Sequence, residues 1–270
     1  MLSFQTKIKL NDGYEIPIVG FGTIRVPDEA IIMAIEAGYR LLDTASMYKY
    51  NESGTGDAVA SGIVKGEDLF VCTKLWTTDI RERRTREAFF ESLKKLKTDY
   101  VDLYLIHWPA EGFIEAYQEM EKLQKEGYIR SLGVSNFRKH HFEELFEKTS
   151  VIPVVNEMET NPGFQDLETM EFCRKHNIVL EASAPLGEGR YVNMEELQSY
   201  ARKSNKSVPQ IILRWLLQKD IIVVPKSTKK ERIIANADLF DFELSEEEMN
   251  YIDSLNRMER SYADPDNFNF

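Results

Sequence analysis

Four ionisable side chains sit where a proton could be moved: Asp43, Tyr48, Lys74 and His107. Asp43 ends the apolar run that contains Leu41-Leu42, Lys74 ends Leu69-Phe70-Val71-Cys72-Thr73, and His107 ends Tyr100-Val101-Asp102-Leu103-Tyr104-Leu105-Ile106. Tyr48 lies five residues beyond Asp43. A free tyrosine titrates near 10 and gives up its proton poorly at neutral pH. A neighbouring ammonium would favour tyrosinate and lower that value, while a buried carboxylate would keep the ammonium charged and aimed. A neutral imidazole could donate to a carbonyl oxygen. Together these groups suit the protonation of an alkoxide as hydride reaches a carbonyl carbon. Taken singly each has an ordinary role: a strand-end Asp caps a loop, a Tyr packs, and a His before Trp-Pro is structural. Their joint placement favours the chemical reading.

Such residues need a scaffold that gathers separate segments. Lys7-Ile8-Lys9-Leu10 alternates polar with apolar, Asn11-Asp12-Gly13 turns, and Tyr14-Glu15-Ile16 returns, which predicts a hairpin. Apolar runs follow at Ile18–Thr23, Tyr39–Asp43, Leu69–Lys74, Tyr100–His107, Ile129–Ser135, Val151–Glu157, Ile178–Ser183 and Ile221–Val224. Helical patterns separate them. The first carries Ile31, Ile32 and Ile35, with Asp28 as its expected cap and Gly38 as its stop. The second runs from about Gly54 to Val64. Later helices carry Phe89, Leu93 and Leu96; Phe113, Tyr117, Met120 and Leu123; Phe142, Leu145 and Phe146; and Leu167, Met170 and Cys173. Helical sequence from Met194 to Lys219 is interrupted near Pro209. Two helices finish the chain, the second opened by a Ser245/Glu248 capping box.

Continuous Val/Ile/Leu runs predict parallel strands covered on both faces. Eight strand–helix units in 270 residues predict an α/β fold. The expected form is a (β/α)8 TIM barrel with an N-terminal β-hairpin and extra C-terminal helices, with its active site at the carboxyl ends of its strands. An open doubly wound sheet fits less well, since Gly20-Phe21-Gly22 lacks the third glycine of a dinucleotide loop. No linker interrupts the pattern, so residues 1–270 are expected to form one domain. With 34 basic and 45 acidic residues the net charge is −11, which argues against nucleic-acid binding. Two cysteines, Cys72 and Cys173, are too few for a disulfide framework and favour a reducing compartment. Neither a signal-like N-terminus nor an uncharged run near the ~20 residues of a membrane span is present. A cytoplasmic, non-membrane monomer is the expectation. Cys72, inside an apolar strand, reads as core. His140-His141 could suggest a metal, but adjacent side chains at a helix start are expected to point apart, so no metal is predicted.

The sequence resembles the aldo-keto reductase superfamily, and bacterial short-loop diketogluconate or methylglyoxal reductases in particular. The resemblance rests on Asp43-Thr44-Ala45-x-x-Tyr48 followed by Asn51-Glu52, Thr73-Lys74-Leu75-Trp76, Leu105-Ile106-His107-Trp108-Pro109, Gly133-Val134-Ser135-Asn136-Phe137 and Pro225-Lys226-Ser227, in family order. It implies NADPH-dependent reduction of a small-molecule carbonyl. Tyr48 would be the general acid, Lys74 and Asp43 would tune it, and His107 would orient the carbonyl. It implies nicotinamide contacts from Thr23, Asp43, Ser135, Asn136, Glu157 and Ser183. Lys226, Ser227 and Arg232 would hold the adenosine 2′-phosphate, and Asn236 would meet adenine. Basic groups and a hydroxyl beside a helix start suit a phosphate in any case, although a solvated basic cluster is the plainer alternative. Ile24, Met47, Tyr48, Trp76, His107 and Trp108 would line an open substrate pocket, with Phe268 or Phe270 able to fold over its mouth.

The chain departs from the family pattern in three places. Glu157 replaces Gln, and an ionised Glu only accepts hydrogen bonds. Ser183 replaces the aromatic that stacks on nicotinamide, a surface worth roughly 1 kcal/mol by analogy with aromatic pairs. An extra residue between Tyr48 and Asn51 makes Tyr50 a rival donor. Two other roles stay open for this scaffold: a lyase using Lys74 as a Schiff-base nucleophile, and a nucleotide-sensing binding protein.

Overall fold

The computed structural model describes residues 2–48 and 51–270. The hairpin forms from β1 (Lys7–Lys9) and β2 (Glu15–Pro17), paired antiparallel around Gly13 in the left-handed region (φ +96°). The barrel proper begins with β3 (Gly20–Gly22), α1 (Asp28–Glu36), β4 (Leu41–Asp43) and α2 (Asn51–Ala60). It continues through β5 (Phe70–Leu75), α3 (Thr77–Arg81), α4 (Thr85–Leu96) and β6 (Val101–Ile106). Then come α5 (Phe113–Lys125), β7 (Ile129–Ser135), α6 (Lys139–Lys148), β8 (Val155–Glu159), α7 (Leu167–Lys175) and β9 (Val179–Ser183). The chain finishes with α8 (Glu195–Ser204), α9 (Val208–Leu217), β10 (Ile221–Val223), α10 (Lys230–Ala235) and α11 (Glu246–Ser254).

Strands β3 to β10 form one eight-stranded sheet in sequential order, every pair parallel. A bridge between Val19 and Val223, with Val223 N donating to Ile18 O, joins the last strand to the first and closes the barrel. Strand side chains alternate faces, and the alternation shows in the packing. Leu41, Cys72, Leu103, Leu105, Val155 and Ile222 form a core inside the barrel, floored by Leu10 and Ile16 from the hairpin. Leu42, Val71, Tyr104, Ile106, Leu132 and Leu180 face outward into a second layer beneath the helices. The axis is crowded: a Cβ on Gly133 would lie 2.5 Å from Leu105 Cδ2 and 2.9 Å from Val155 O.

Several boundaries differ from expectation. Pro27, not Asp28, is the N-cap of α1, and Asp28 is its first helical residue. Helix α2 starts at Asn51 rather than Gly54 and stops at Ala60 rather than Val64. The strand expected from Val151 begins at Val155 and runs on to Glu159, because the Val151–Pro153 stretch leads in as loop. Leu167, expected on a packed face, is exposed. The Ser245/Glu248 capping box forms, with Ser245 N donating to Glu248 Oε2 at 2.7 Å. Pro209 sits in the first turn of α9, where its missing N–H costs nothing.

Candidate active site

Inward-facing strand positions determine which polar groups meet. Asp43, Lys74, His107, Ser135, Glu157 and Ser183 lie on the inward-facing phase of their strands, in step with Leu41, Cys72, Leu105 and Val155, which pack inside. Their side chains therefore collect above the apolar interior, at the carboxyl ends of the strands. Ser46 locks the Tyr48 loop onto β5, its Oγ donating to Lys74 O at 2.9 Å. Tyr50, the rival donor, lies outside the described residues.

Lys74 is the centre of the cluster and fully buried. Its Nζ donates to Asp43 Oδ1 at 2.5 Å and to Thr44 O at 3.0 Å, and lies 3.1 Å from Glu157 Oε2. Burial works against the ammonium, but Asp43 and then Glu157 outweigh it and hold Lys74 well above its ordinary value. That is the opposite of the deprotonated amine a Schiff-base nucleophile requires. Nζ lies 5.5 Å from the centre of the Tyr48 ring. The Tyr48 ring meets His107 edge-on, with centres 5.7 Å apart.

Tyr48 does not show the expected lowering. Burial pushes its phenol up; Lys74 pulls it down, while Asp43 and Glu157 push it further up. The main reason is burial, which disfavours the charged tyrosinate; the pull of Lys74 is in turn offset by the two carboxylates beside it. A raised phenol is loaded with its proton at neutral pH, which a donor requires, although a donor closer to neutrality is more efficient. His107 is held well below its ordinary value, first by burial and then by Lys74, and is neutral. Its Nδ1 is buried and has no hydrogen-bond partner among the described residues.

Glu157 and Glu181 complete the cluster. Burial and then Asp43 push Glu157 up to about 7, against the pull of Lys74. Glu181 was not singled out from sequence. It is fully buried, neither of its oxygens has a partner among the described residues, and burial, Asp43 and Glu157 push it well up. The available signal was a Glu two positions before Ser183 on the same strand face. The ligand atoms of Asp43, Glu157 and Glu181 lie within 4.8 Å of one another, a spacing that could suit a metal, but the Lys74 ammonium already bonds to this group. His140 and His141 do not point apart as expected. Their rings are 3.9 Å apart, and their Nε2 atoms reach Asp266 at 3.1 and 3.6 Å. Arg138 supplies the cation there, pairing with Asp266 through its guanidinium and donating its backbone N–H to His141 Nδ1.

Ser135 and Glu157 are strand partners, and Asn136 follows with its N–H on Glu157 O at 2.8 Å. Asn136 takes the left-handed region (φ +61°), which Asn tolerates better than most residues. Its Nδ2 donates to His107 O at 2.9 Å. Thr23 is buried, and its Oγ1 has no partner among the described residues. Lys226 and Arg232 are exposed beyond β10, Ser227 is half-buried, and Asn236 is buried just past α10. Lys226 Nζ reaches back to Ile24 O at 3.2 Å. Burial and then Arg25, a neighbouring cation missed in the sequence, hold Lys226 below its ordinary value.

Among the residues expected to line a substrate pocket, Trp76 lies 5.0 Å from His107, ring to ring, and Phe270 stacks on Trp76 at 5.3 Å with planes 6° apart. Phe268 and Phe270 also pack on Trp108, at 5.0 and 5.1 Å. Thr77 Oγ1 and Arg81 Nη1 donate to Phe270 O at 3.0 and 2.7 Å. The C-terminal segment thus lies over Trp76 and Trp108, with both Phe268 and Phe270 folded onto them. Ile24 is half-buried and Met47 exposed, so Met47 contributes least wall.

Eight parallel strands carrying a phenol, a buried ammonium, carboxylates and a neutral imidazole at one rim have the layout of a barrel oxidoreductase. Residues 28–257 match the family model described as "Aldo/keto reductase family", and the chain belongs to that family. It is similar to the glyoxal reductase of Bacillus subtilis (strain 168), at 44% identity covering 99% of each chain. It is also similar to the methylglyoxal reductase DkgA of Escherichia coli (strain K12), at 41% identity covering 97% of this chain and 98% of that one. Among solved structures, the Bombyx mori aldo-keto reductase in complex with NADP superposes with a TM-score of 0.90 at 37% identity, covering 98% of this chain and 97% of that one.

Proposed function

We propose that this protein reduces small aldehydes and ketones to alcohols with NADPH, Tyr48 supplying the proton. The reading rests above all on Lys74, an ammonium clamped between Asp43 and Glu157 and 5.5 Å from the Tyr48 ring. The family and the two dicarbonyl reductases named above support it.

The donor set fits a phosphorylated dinucleotide. Lys226, Arg232 and the Ser227 hydroxyl suit a 2′-phosphate, and Thr23 Oγ1, which has no partner among the described residues, suits an amide-bearing ring together with Ser135 and Asn136. Bound there, NADPH supplies the hydride. His107, neutral and buried, orients the carbonyl oxygen through an N–H. The Tyr48 O–H bond breaks as its proton passes to the developing alkoxide, and Lys74 stabilises the tyrosinate left behind. Asp43 and Glu157 keep Lys74 protonated through the step.

Turnover of glyoxal and methylglyoxal with NADPH, and cofactor binding by fluorescence, test this. Tyr48→Phe is expected to lose about 100-fold or more in turnover, within the range for general acid catalysis, while binding NADPH like the wild type. A Tyr48→Phe variant that turns over normally would remove Tyr48 from the role.

A further inference from the structure

Ser183 ends β9 without a ring of its own, and a ring from elsewhere is tied to it. The Ser183 Oγ and Tyr262 phenol oxygens are 2.5 Å apart, and the phenol also donates to Asn136 Oδ1 at 3.2 Å. An amide oxygen only accepts, so the single phenol proton goes to Asn136 and the Ser183 hydroxyl donates to Tyr262. Asn136 Nδ2 is committed to His107 O and Ser135 Oγ, at 2.9 and 3.1 Å. Its Oδ1 keeps a second lone pair for another N–H.

The backbone of Tyr262 is anchored as firmly as its tip. Ser261 N donates to Glu159 Oε1 at 2.6 Å, and Glu159 is the strand partner of Ser183. Arg260 lies 4.2 Å over the Phe164 ring and 3.9 Å from Glu159 Oε2. The Tyr262 ring meets Trp108 edge-on at 6.0 Å. It therefore spans from Trp108 to Ser183 above Asn136. A large side chain at 183 would occupy the room the phenol uses.

We propose that Tyr262 is a cofactor-positioning residue: its ring, tethered by Ser183 and Asn136, forms the aromatic wall for the nicotinamide that position 183 does not provide. This rests on the cofactor reading above. Ser183 is then a tether, and the C-terminal segment is part of the cofactor site as well as the cover of the substrate pocket.

Titration of the full chain with NADPH, NADH and 2′,5′-ADP tests it, read by cofactor fluorescence and by displacement. Wild type must first bind NADPH; failure there sinks the underlying functional reading. Given that binding, Tyr262→Ala is expected to weaken NADPH and NADH by the same factor, about three- to tenfold for a lost aromatic contact. Binding of 2′,5′-ADP, which lacks the nicotinamide half, should not change. Tyr262→Phe keeps the ring, loses the tether, and should fall between wild type and Tyr262→Ala. Adding Ser183→Tyr to Tyr262→Ala should recover affinity. Unchanged or tighter dinucleotide binding by Tyr262→Ala would overturn the proposal, the latter by showing that the phenol obstructs the site. Equal loss of 2′,5′-ADP affinity would also overturn it, by showing a general structural role.

Discussion

At Lys74 one ammonium faces three buried carboxylates, Asp43, Glu157 and Glu181. Glu157 is raised from the ordinary carboxylate value to about 7. Between those limits the folded chain holds more proton at this site than the unfolded chain. Stability contributed by Glu157 therefore falls as pH rises through that window. Glu157→Gln removes the titration, so its urea midpoint should decline less than that of wild type between about pH 5 and pH 8, the window between the ordinary and the raised carboxyl values. Parallel declines would place the effect elsewhere. Arg232 is exposed, and its role is expected only toward a charged ligand. Arg232→Ala should weaken NADPH by roughly 10- to 100-fold, the worth of about one charge-assisted hydrogen bond. NADH affinity should hardly move. Equal loss for both cofactors, measured by fluorescence titration, would refute the phosphate assignment.

Helix α2 shows how an element can defeat its own composition. It carries Gly54 and Gly56, poor helix formers, and its buried side consists of Asn51, Glu52, Gly54, Thr55, Gly56 and Ala58. A Cβ on Gly56 would stand 2.1 Å from the Lys95 carbonyl oxygen and 2.9 Å from Leu96 Cα. Gly56→Ala gains up to about 1 kcal/mol in helix propensity. The overpacking cost is roughly 1–3 kcal/mol and falls on backbone that cannot swing aside. Gly56→Ala should therefore destabilise the fold, read as a lower urea midpoint; a higher midpoint would show that α2 and α4 can part cheaply. The same packing explains why the start of α2 was placed too late in sequence: its anchoring groups are small or polar, and an apolar period does not mark them. Strand β7, bounded by Gly127 and Asn136, was legible at both ends. Strand β8 was not, because the Val151–Val154 approach is as apolar as the strand it leads into.

At the scale of the whole molecule the C-terminal segment works as a strap over the barrel rim. It is fixed at Glu159, Ser183 and Asn136 on one side and at Trp76, Thr77 and Arg81 on the other. Phe270→Ala should open the substrate side, raising KM for glyoxal about three- to tenfold with little change in kcat, the loss of one aromatic contact. A matching fall in kcat at constant KM would mean that Phe270 acts on the catalytic groups instead.

The amino-acid sequence by itself determined the eight strand–helix units, the hairpin, the capping box and the placing of Asp43, Lys74 and His107 at strand ends. Those features follow from side-chain type and a period of two or 3.6, which are local. Only the tertiary structure decided how the gathered charges balance, why Tyr48 is raised rather than lowered, and that His140 and His141 converge on Asp266. It alone brought Tyr262 to Ser183 across 79 positions of chain. Burial, Coulomb fields and contacts depend on distances in space, and no local pattern encodes a distance between segments that meet only when the barrel closes.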